Sequence, residues 1–203
     1  MIDTSQFPSP LAGVDEAGRG CLAGPVVAAD TMLPRANTIQ DLTDSKKISP
    51  SKRVQLEQII KDTSISWSLG LAWPREIERI NILRATMLAM ARALQKLKYP
   101  PAFVLVDGNS YPDSALEGKC INKGDSLVAE IAAASILAKT FRDRLMQKLD
   151  KKYPEYGFAE HKGYGTKRHM ENLQCFGPSR LHRYNYKPVK NCMLKGQKWL
   201  PGI

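Results

Sequence analysis

No apolar run in this 203-residue chain approaches the length of a membrane-spanning helix. Its start, Met1-Ile2-Asp3-Thr4-Ser5, lacks the basic-then-apolar pattern of a secretory signal. Cysteine is scarce and scattered. Cys21, Cys120, Cys175 and Cys192 include no C-x-x-C pair, which argues against a zinc site or a disulfide framework and leaves reduced thiols. Together these absences predict a cytoplasmic protein with no membrane partner. There are no repeats, low-complexity tracts or long linkers, so one main domain with a helical C-terminal appendage is expected, as a monomer. Acid is in short supply as well. Against 30 Lys and Arg stand 20 Asp and Glu, for a net charge of +10. Such an excess favours polyanionic partners, nucleic acid before an acidic membrane surface.

The remaining composition, 43% hydrophobic and 25% charged, is that of an ordinary globular protein long enough to bury one core. Residues 1–10, with Pro8 and Pro10, read as a loose arm. Two or three strands follow between Leu11 and about Leu33. Ser49-Pro50 sets an N-cap before a proline at the first helical position and starts a helix to about Lys61. Residues 65–73 alternate with period two, as a strand does. Asn81 caps a longer helix with Leu83, Met87, Met90 or Ala91, Leu94 and Leu97 at helical spacing. The uninterrupted run Ala102-Phe103-Val104-Leu105-Val106 predicts a central strand covered on both faces, and residues 119–124 a short edge strand. Asp125 is expected to open the longest helix, to about Leu149, with Leu127, Ile131, Ala134, Ala138, Phe141 and Leu145 as its buried stripe. Beyond Pro154 the chain turns basic and glycine-rich, with a further helix over 166–175.

The chemistry-bearing residues are acids at element ends. Asp15 and Glu16 close the apolar lead Leu11-Ala12-Gly13-Val14 and precede Gly18-Arg19-Gly20, where two glycines allow backbone N–H groups to approach a ligand. Asp107 ends the central strand, where open α/β sheets place their ligands. Asp125 has a ready structural role as a helix N-cap. That role does not explain why acids gather at strand ends in a basic chain. Four carboxylates brought together raise one another's pKa unless a cation sits among them. Oxygen ligands without neighbouring histidine or cysteine suit Mg²⁺ or Mn²⁺. Beside a basic surface, such a cluster suggests two-metal phosphodiester hydrolysis. Glu130 lies five residues past Asp125, about 140° round a helix, and is a poor candidate ligand.

The sequence resembles the type 2 ribonucleases H over nearly its whole length. The resemblance rests on Gly13-Val14-Asp15-Glu16-Ala17-Gly18-Arg19-Gly20, Leu42-Thr43-Asp44-Ser45-Lys46-Lys47, Val106-Asp107-Gly108-Asn109, Lys123-Gly124-Asp125-Ser126, the run Ala132 to Lys139, and His161-Lys162-Gly163-Tyr164-Gly165-Thr166. It implies a ribonuclease H-like α/β fold, a mixed central sheet flanked by helices, over residues 11–176, with a basic C-terminal segment over 177–203. It implies Asp15, Glu16, Asp107 and Asp125 as metal-binding catalytic acids, Gly18-Arg19-Gly20 as the reader of a ribose 2′-hydroxyl, and Tyr164 packed on the neighbouring sugar. Type 3 relatives fit less well, since they carry a sizeable N-terminal domain and only 14 residues precede Asp15 here. One departure stands out at His182-Arg183-Tyr184-Asn185-Tyr186, where the family usually has Ser-Phe after the His-Arg pair.

The expected activity is endonucleolytic cleavage, on the ribonucleotide-containing strand, of RNA–DNA hybrids and of DNA with embedded ribonucleotides. The products would be a 3′-hydroxyl and a 5′-phosphate. Lys46, Lys47, Lys162, Thr166 and Arg168 are candidate substrate contacts. A non-catalytic nucleic-acid-binding protein would explain the charge but not the acids, and a DNA nuclease would lack the 2′-hydroxyl reader. The end, Gln197-Lys198-Trp199-Leu200, reads first as apolar residues packing back onto the body, and second as a motif docking on a sliding clamp.

Overall fold

The computed structural model describes residues 1–35, 39–45 and 48–194. Lys46, Lys47 and the proposed clamp motif lie outside the described residues. The two apolar runs flanking the glycine loop form β1 (Leu11–Ala17) and β2 (Val26–Met32), paired antiparallel. The alternating segment becomes β3 (Ser66–Ala72), antiparallel to β2. The unbroken apolar run becomes β4 (Phe103–Asp107), parallel to β1. β5 (Gly118–Ile121) adds parallel to β4 at the edge, for a sheet ordered β3-β2-β1-β4-β5. This mixed sheet with helices on both faces is the expected ribonuclease H-like α/β fold.

Helix α1 (Pro50–Thr63) starts as its sequence predicts, with the Ser49 hydroxyl accepting from the Lys52 N–H at 3.3 Å. Helix α2 (Pro74–Leu94) bends at Asn81, which takes φ +65° and caps the longer second half by accepting from the Arg84 N–H. Its buried face is Ala85, Thr86, Ala89, Met90, Ala93 and Leu94, whereas Leu83 is exposed. Small residues win that face because α2 lies close on the sheet, over Ala12, Val14, Ala28 and Val104. On the opposite face, α3 (Ala129–Asp150) buries Ala132, Ala133 and Ala134 together with α1's Leu56 and Ile60. A Cβ on Gly13 of β1 would sit 2.3 Å from the backbone of Glu130 and Ile131, so α3 rests there on bare strand.

Two expectations about α3 fail. It begins at Ala129, and Asp125 instead lies in a 3₁₀ turn over Gly124–Ser126. Past Ala138, the fully buried side chains are Arg142 and Met146, not Phe141 and Leu145, and Leu127 is exposed. The reason is a change of partner. The first half of α3 faces the sheet, while the second half faces a small core of Ala23, Met146, Tyr156, Phe158 and Leu181.

That second core is closed by α4 (Phe158–His161) and α5 (Lys167–Phe176), while α6 (Lys187–Leu194) packs on Leu22 and Leu173. The second core holds all three histidines of the chain, each buried. Their protons follow from their partners. The Gly163 and Ser179 N–H groups can only donate, so Nδ1 of His161 and of His182 must accept. His182 then donates from Nε2 to His169 Nε2 at 3.1 Å, and His169 donates from Nδ1 to the Tyr164 carbonyl at 2.9 Å. His161 donates to the Tyr156 carbonyl and stacks on His169 at 4.2 Å. Every ring is satisfied as neutral imidazole, and a further proton would set donor against donor. Burial accordingly pushes His169 down to about 4 and His182 down to about 3, and lowers His161.

Because these folded values lie below the ordinary 6.5, the network's stabilisation is whole above that pH and is lost as pH falls toward 4 and then 3. For His169 alone this is worth ~3 kcal/mol. Burial raises Asp30 to about 7, which works in the opposite sense, so the imidazoles should be observed directly. The ring NMR shifts of His169 and His182 are expected to stay flat from about pH 8 to about pH 5 in the folded protein. A ring titrating near 6.5 would show that the network is not closed.

Candidate active site

The site opens where two parallel strands part. The pairing of β1 with β4 ends at Val14 and Val106, and Asp15 and Asp107 are the first residues beyond it. Both share the face of Gly13 and Leu105, the face covered by α3. This is the carboxyl end of adjacent strands whose connections leave in opposite directions, the usual ligand position in such sheets. Asp107 Oδ1 accepts the Gly124 N–H at 2.7 Å, which draws in the 3₁₀ turn and sets buried Asp125 beside it.

Asp15 is strongly perturbed. Burial first, then the negative charges of Glu16 and Asp107, push its carboxyl well above the ordinary carboxylate range, while hydrogen bonds from Ser135 and from the Glu16 N–H oppose that. The Glu16 contact, 2.6 Å to Asp15 Oδ1, is local. The Ser135 contact comes from α3, and its Oγ lies 3.0 Å from Ser45 Oγ. The two hydroxyls thus link Asp15 to the segment before α1, where Arg53 donates to the carbonyls of Ser45 and Ile48. Glu16 reaches the other way, toward Arg19 at 3.3 Å, since β1 stays paired with β2 through Ala17 and neighbouring strand side chains oppose. That pair is half exposed at Arg19 and worth under about 1 kcal/mol. Glu130, set aside in the sequence, is buried with Oε2 lacking a hydrogen bond, and burial raises its carboxyl.

Among the described residues, no three His, Cys, Asp or Glu side chains are drawn together as the ligands of one ion. The donor set is nonetheless all carboxylate oxygen, which fits a hard divalent cation, and like charges already crowd Asp15.

The loop after β1 is held from behind by two arginines with no exposed surface. Arg142 donates to the carbonyls of Ala23, Pro25 and Lys162 at 2.8–3.0 Å. Arg183 donates to those of Gly18, Arg19 and Gly24 at 2.7–3.1 Å. Gly18 adopts φ +97°, and a Cβ there would lie 2.1 Å from Arg142 Nε. Gly20 differs: it avoids the left-handed region, and a Cβ would meet nothing within 4 Å.

Beside this loop runs a groove of about 620 Å³ between α1, α3 and the turn after α4. Tyr164 lines it, 39% exposed, with Lys139 Nζ 5.6 Å and the Arg142 guanidinium 6.0 Å from its ring. Lys162 also lines it, its ammonium on the Ala159 carbonyl and its own carbonyl held by Arg142. The Thr166 hydroxyl caps α5 by accepting the His169 N–H, and exposed Arg168 pairs with Glu160.

The family model of ribonuclease HII matches residues 12–189, a span that contains all of these features. The chain belongs to the ribonuclease HII family. It is 47% identical over 201 residues to a ribonuclease HII of Nitratidesulfovibrio vulgaris (strain Hildenborough), covering 94% of this chain and 91% of that protein. In fold it is similar to the ribonuclease H2 of Pyrococcus horikoshii OT3, with a TM-score of 0.77 at 26% identity, over 91% of this chain and 97% of that one. It is also similar to Bst ribonuclease HIII solved with Mn²⁺, with a TM-score of 0.72 at 17% identity, over 92% of this chain and 70% of that one.

Ribonuclease HII enzymes hydrolyse the RNA strand of RNA–DNA hybrids, and that is the reaction of this chain. Sequence reading missed the residues behind the site. Arg142 and Ser135 lie within or beside the alanine-rich run, and a serine or arginine on the buried side of such a helix was the available signal. Gly18→Ala is expected to lower the unfolding free energy by about 2–3 kcal/mol, from a strained φ and a clash with a buried side chain. Gly20→Ala should leave it within about 0.5 kcal/mol. Urea unfolding of the two variants measures the contrast, and equal losses would contradict the described loop.

Proposed function

We propose that Asp15, Glu16, Asp107 and Asp125 hold two divalent cations, Mg²⁺ or Mn²⁺, for cleavage beside a ribonucleotide, including a single one embedded in duplex DNA. The observation that carries this is the parting of β1 and β4 just before Asp15 and Asp107. It sets two acids of one sheet face side by side, with Asp125 tied in through Gly124. The Mn²⁺ in the Bst ribonuclease HIII structure supports a divalent metal. When bound, such ions supply an activated water and charge stabilisation at the leaving 3′-oxygen. The chain's own task is to fix the carboxylates. Ser135 holds Asp15, the Gly124 N–H holds Asp107, and Glu16, turned toward Arg19, joins the site by its backbone or by turning back.

The Gly18-Arg19-Gly20 loop reads the 2′-hydroxyl, the group that distinguishes RNA from DNA at one position. Support comes from Gly20, where a Cβ would meet nothing within 4 Å, so space is left beside that backbone. Tyr164, exposed between cations, lies against the next sugar. That sugar is best tolerated as deoxyribose, so RNA-to-DNA junctions are favoured. Lys162, Arg168 and the loop of Lys46 and Lys47 follow the phosphates, with Thr166 beside them.

Asp15→Asn and Asp107→Asn are each expected to lower turnover in Mg²⁺ by about a thousandfold or more, while duplex affinity holds. Single-turnover cleavage and a binding titration on the same duplex separate the two effects. Near-normal turnover in either variant removes that residue from the metal site. Gly20→Ala, neutral for folding, should cut cleavage at a single embedded ribonucleotide by about tenfold or more if the sugar meets this backbone. Unchanged cleavage would move the 2′-hydroxyl reader elsewhere.

A further inference from the structure

The C-terminal segment reaches across the molecule to the Gly18-Arg19-Gly20 loop, and one of its groups has no role in the reading above. The Tyr186 hydroxyl donates to the Arg19 carbonyl at 2.8 Å and accepts from Arg183 Nη1 at 3.1 Å, with the Arg183 guanidinium 5.3 Å from the Tyr186 ring centroid. Arg183 Nη1 also donates to the Arg19 carbonyl at 2.8 Å. Both lone pairs of that carbonyl are therefore taken from the protein side. A peptide group is planar, with its C=O and N–H pointing opposite ways. Fixing the Arg19 C=O inward therefore aims the Gly20 N–H the opposite way, away from Arg183 and Tyr186. Among the described residues, no hydrogen bond engages that N–H.

Tyr186 can hold this peptide because it is itself fixed. Its N–H donates to the Arg183 carbonyl, and its own carbonyl accepts from the Lys190 N–H of α6. Just before it, the Tyr184 N–H donates to Glu78 Oε1 and the Asn185 amide to the Glu78 carbonyl, which anchors the segment to α2.

We propose that Tyr186 is a positioning residue for ribonucleotide recognition, its hydroxyl orienting the Arg19–Gly20 peptide so that the Gly20 N–H faces the 2′-oxygen. This rests on the reading of the loop given above. It differs from a bracing role in what it predicts. A brace holds the fold, whereas an orienting group sets how strongly the rate depends on the 2′-substituent.

Tyr186→Phe removes one oxygen and keeps the ring beneath Arg183. Wild type and variant are compared on a DNA duplex with one ribonucleotide and on the same duplex with one 2′-fluoro nucleotide. The expected result is a kcat on the ribonucleotide about three- to tenfold lower, the change of one hydrogen bond. The ratio of the ribonucleotide rate to the 2′-fluoro rate should shrink with it, while KM and melting temperature stay unchanged. An unchanged kcat and ratio overturn the proposal. So does a lower melting temperature with a normal rate per folded molecule, which would make Tyr186 a brace. A wild type that fails to cleave the single-ribonucleotide duplex overturns the loop reading and this proposal together, whereas a cleaving wild type matched by its variant overturns this proposal alone.

Discussion

Two guanidinium groups buried behind the catalytic edge hold the molecule's parts together. Taking a cation out of water costs several kcal/mol even after relaxation, and among the described residues the hydrogen bonds of Arg142 and Arg183 run to carbonyls and a tyrosine hydroxyl, none to a carboxylate. Each compensates by meeting several carbonyl oxygens with its planar fork, at roughly 1.5–3 kcal/mol per charge-assisted bond. Burial lowers the Arg183 pKa, as expected of a cation in that position. A lysine, with one point charge and no fork, could not gather the same carbonyls. These arginines come from α3 and from the C-terminal segment, so three distant stretches of chain converge on the loop after β1.

Much of this was legible in the sequence, and what was not has a common cause. The continuous run of β4, the Ser49-Pro50 start of α1 and the Asn81 cap are local signals, and the structure agrees with each. The exposed aromatic Tyr164 between glycines was readable for the same reason. Helical periodicity assumes a helix faces one surface throughout. α3 faces two, and its stripe rotates to Arg142 and Met146 where the partner changes. Asp125 misled because a cap is a local preference, whereas the bond from Gly124 to Asp107 that shapes its turn is a tertiary one. The histidine network was invisible in the same way, since His161, His169 and His182 meet only in three dimensions.

The basic excess and the acidic edge also divide the labour. Burial, and after it the charges of Glu16 and Asp107, raise Asp15 in a way that works against folding. The alanine-rich, close-packed contact of α3 with β1 supplies a rigid floor beneath them. Stability invested in that floor lets the edge retain a cluster of like charges, a trade common at functional sites.

The span of one contact bears on how this enzyme comes into being. Gly18 and Arg183, joined through Nη2 and the Gly18 carbonyl, are 165 residues apart in the chain. On the ribosome the loop emerges 165 residues before its anchor. A growing chain can assemble β1, β2 and the acid at their end well before it owns the arginine that fixes the loop. The loop is therefore fixed only after the strands that bear Asp15 and Asp107 have been made.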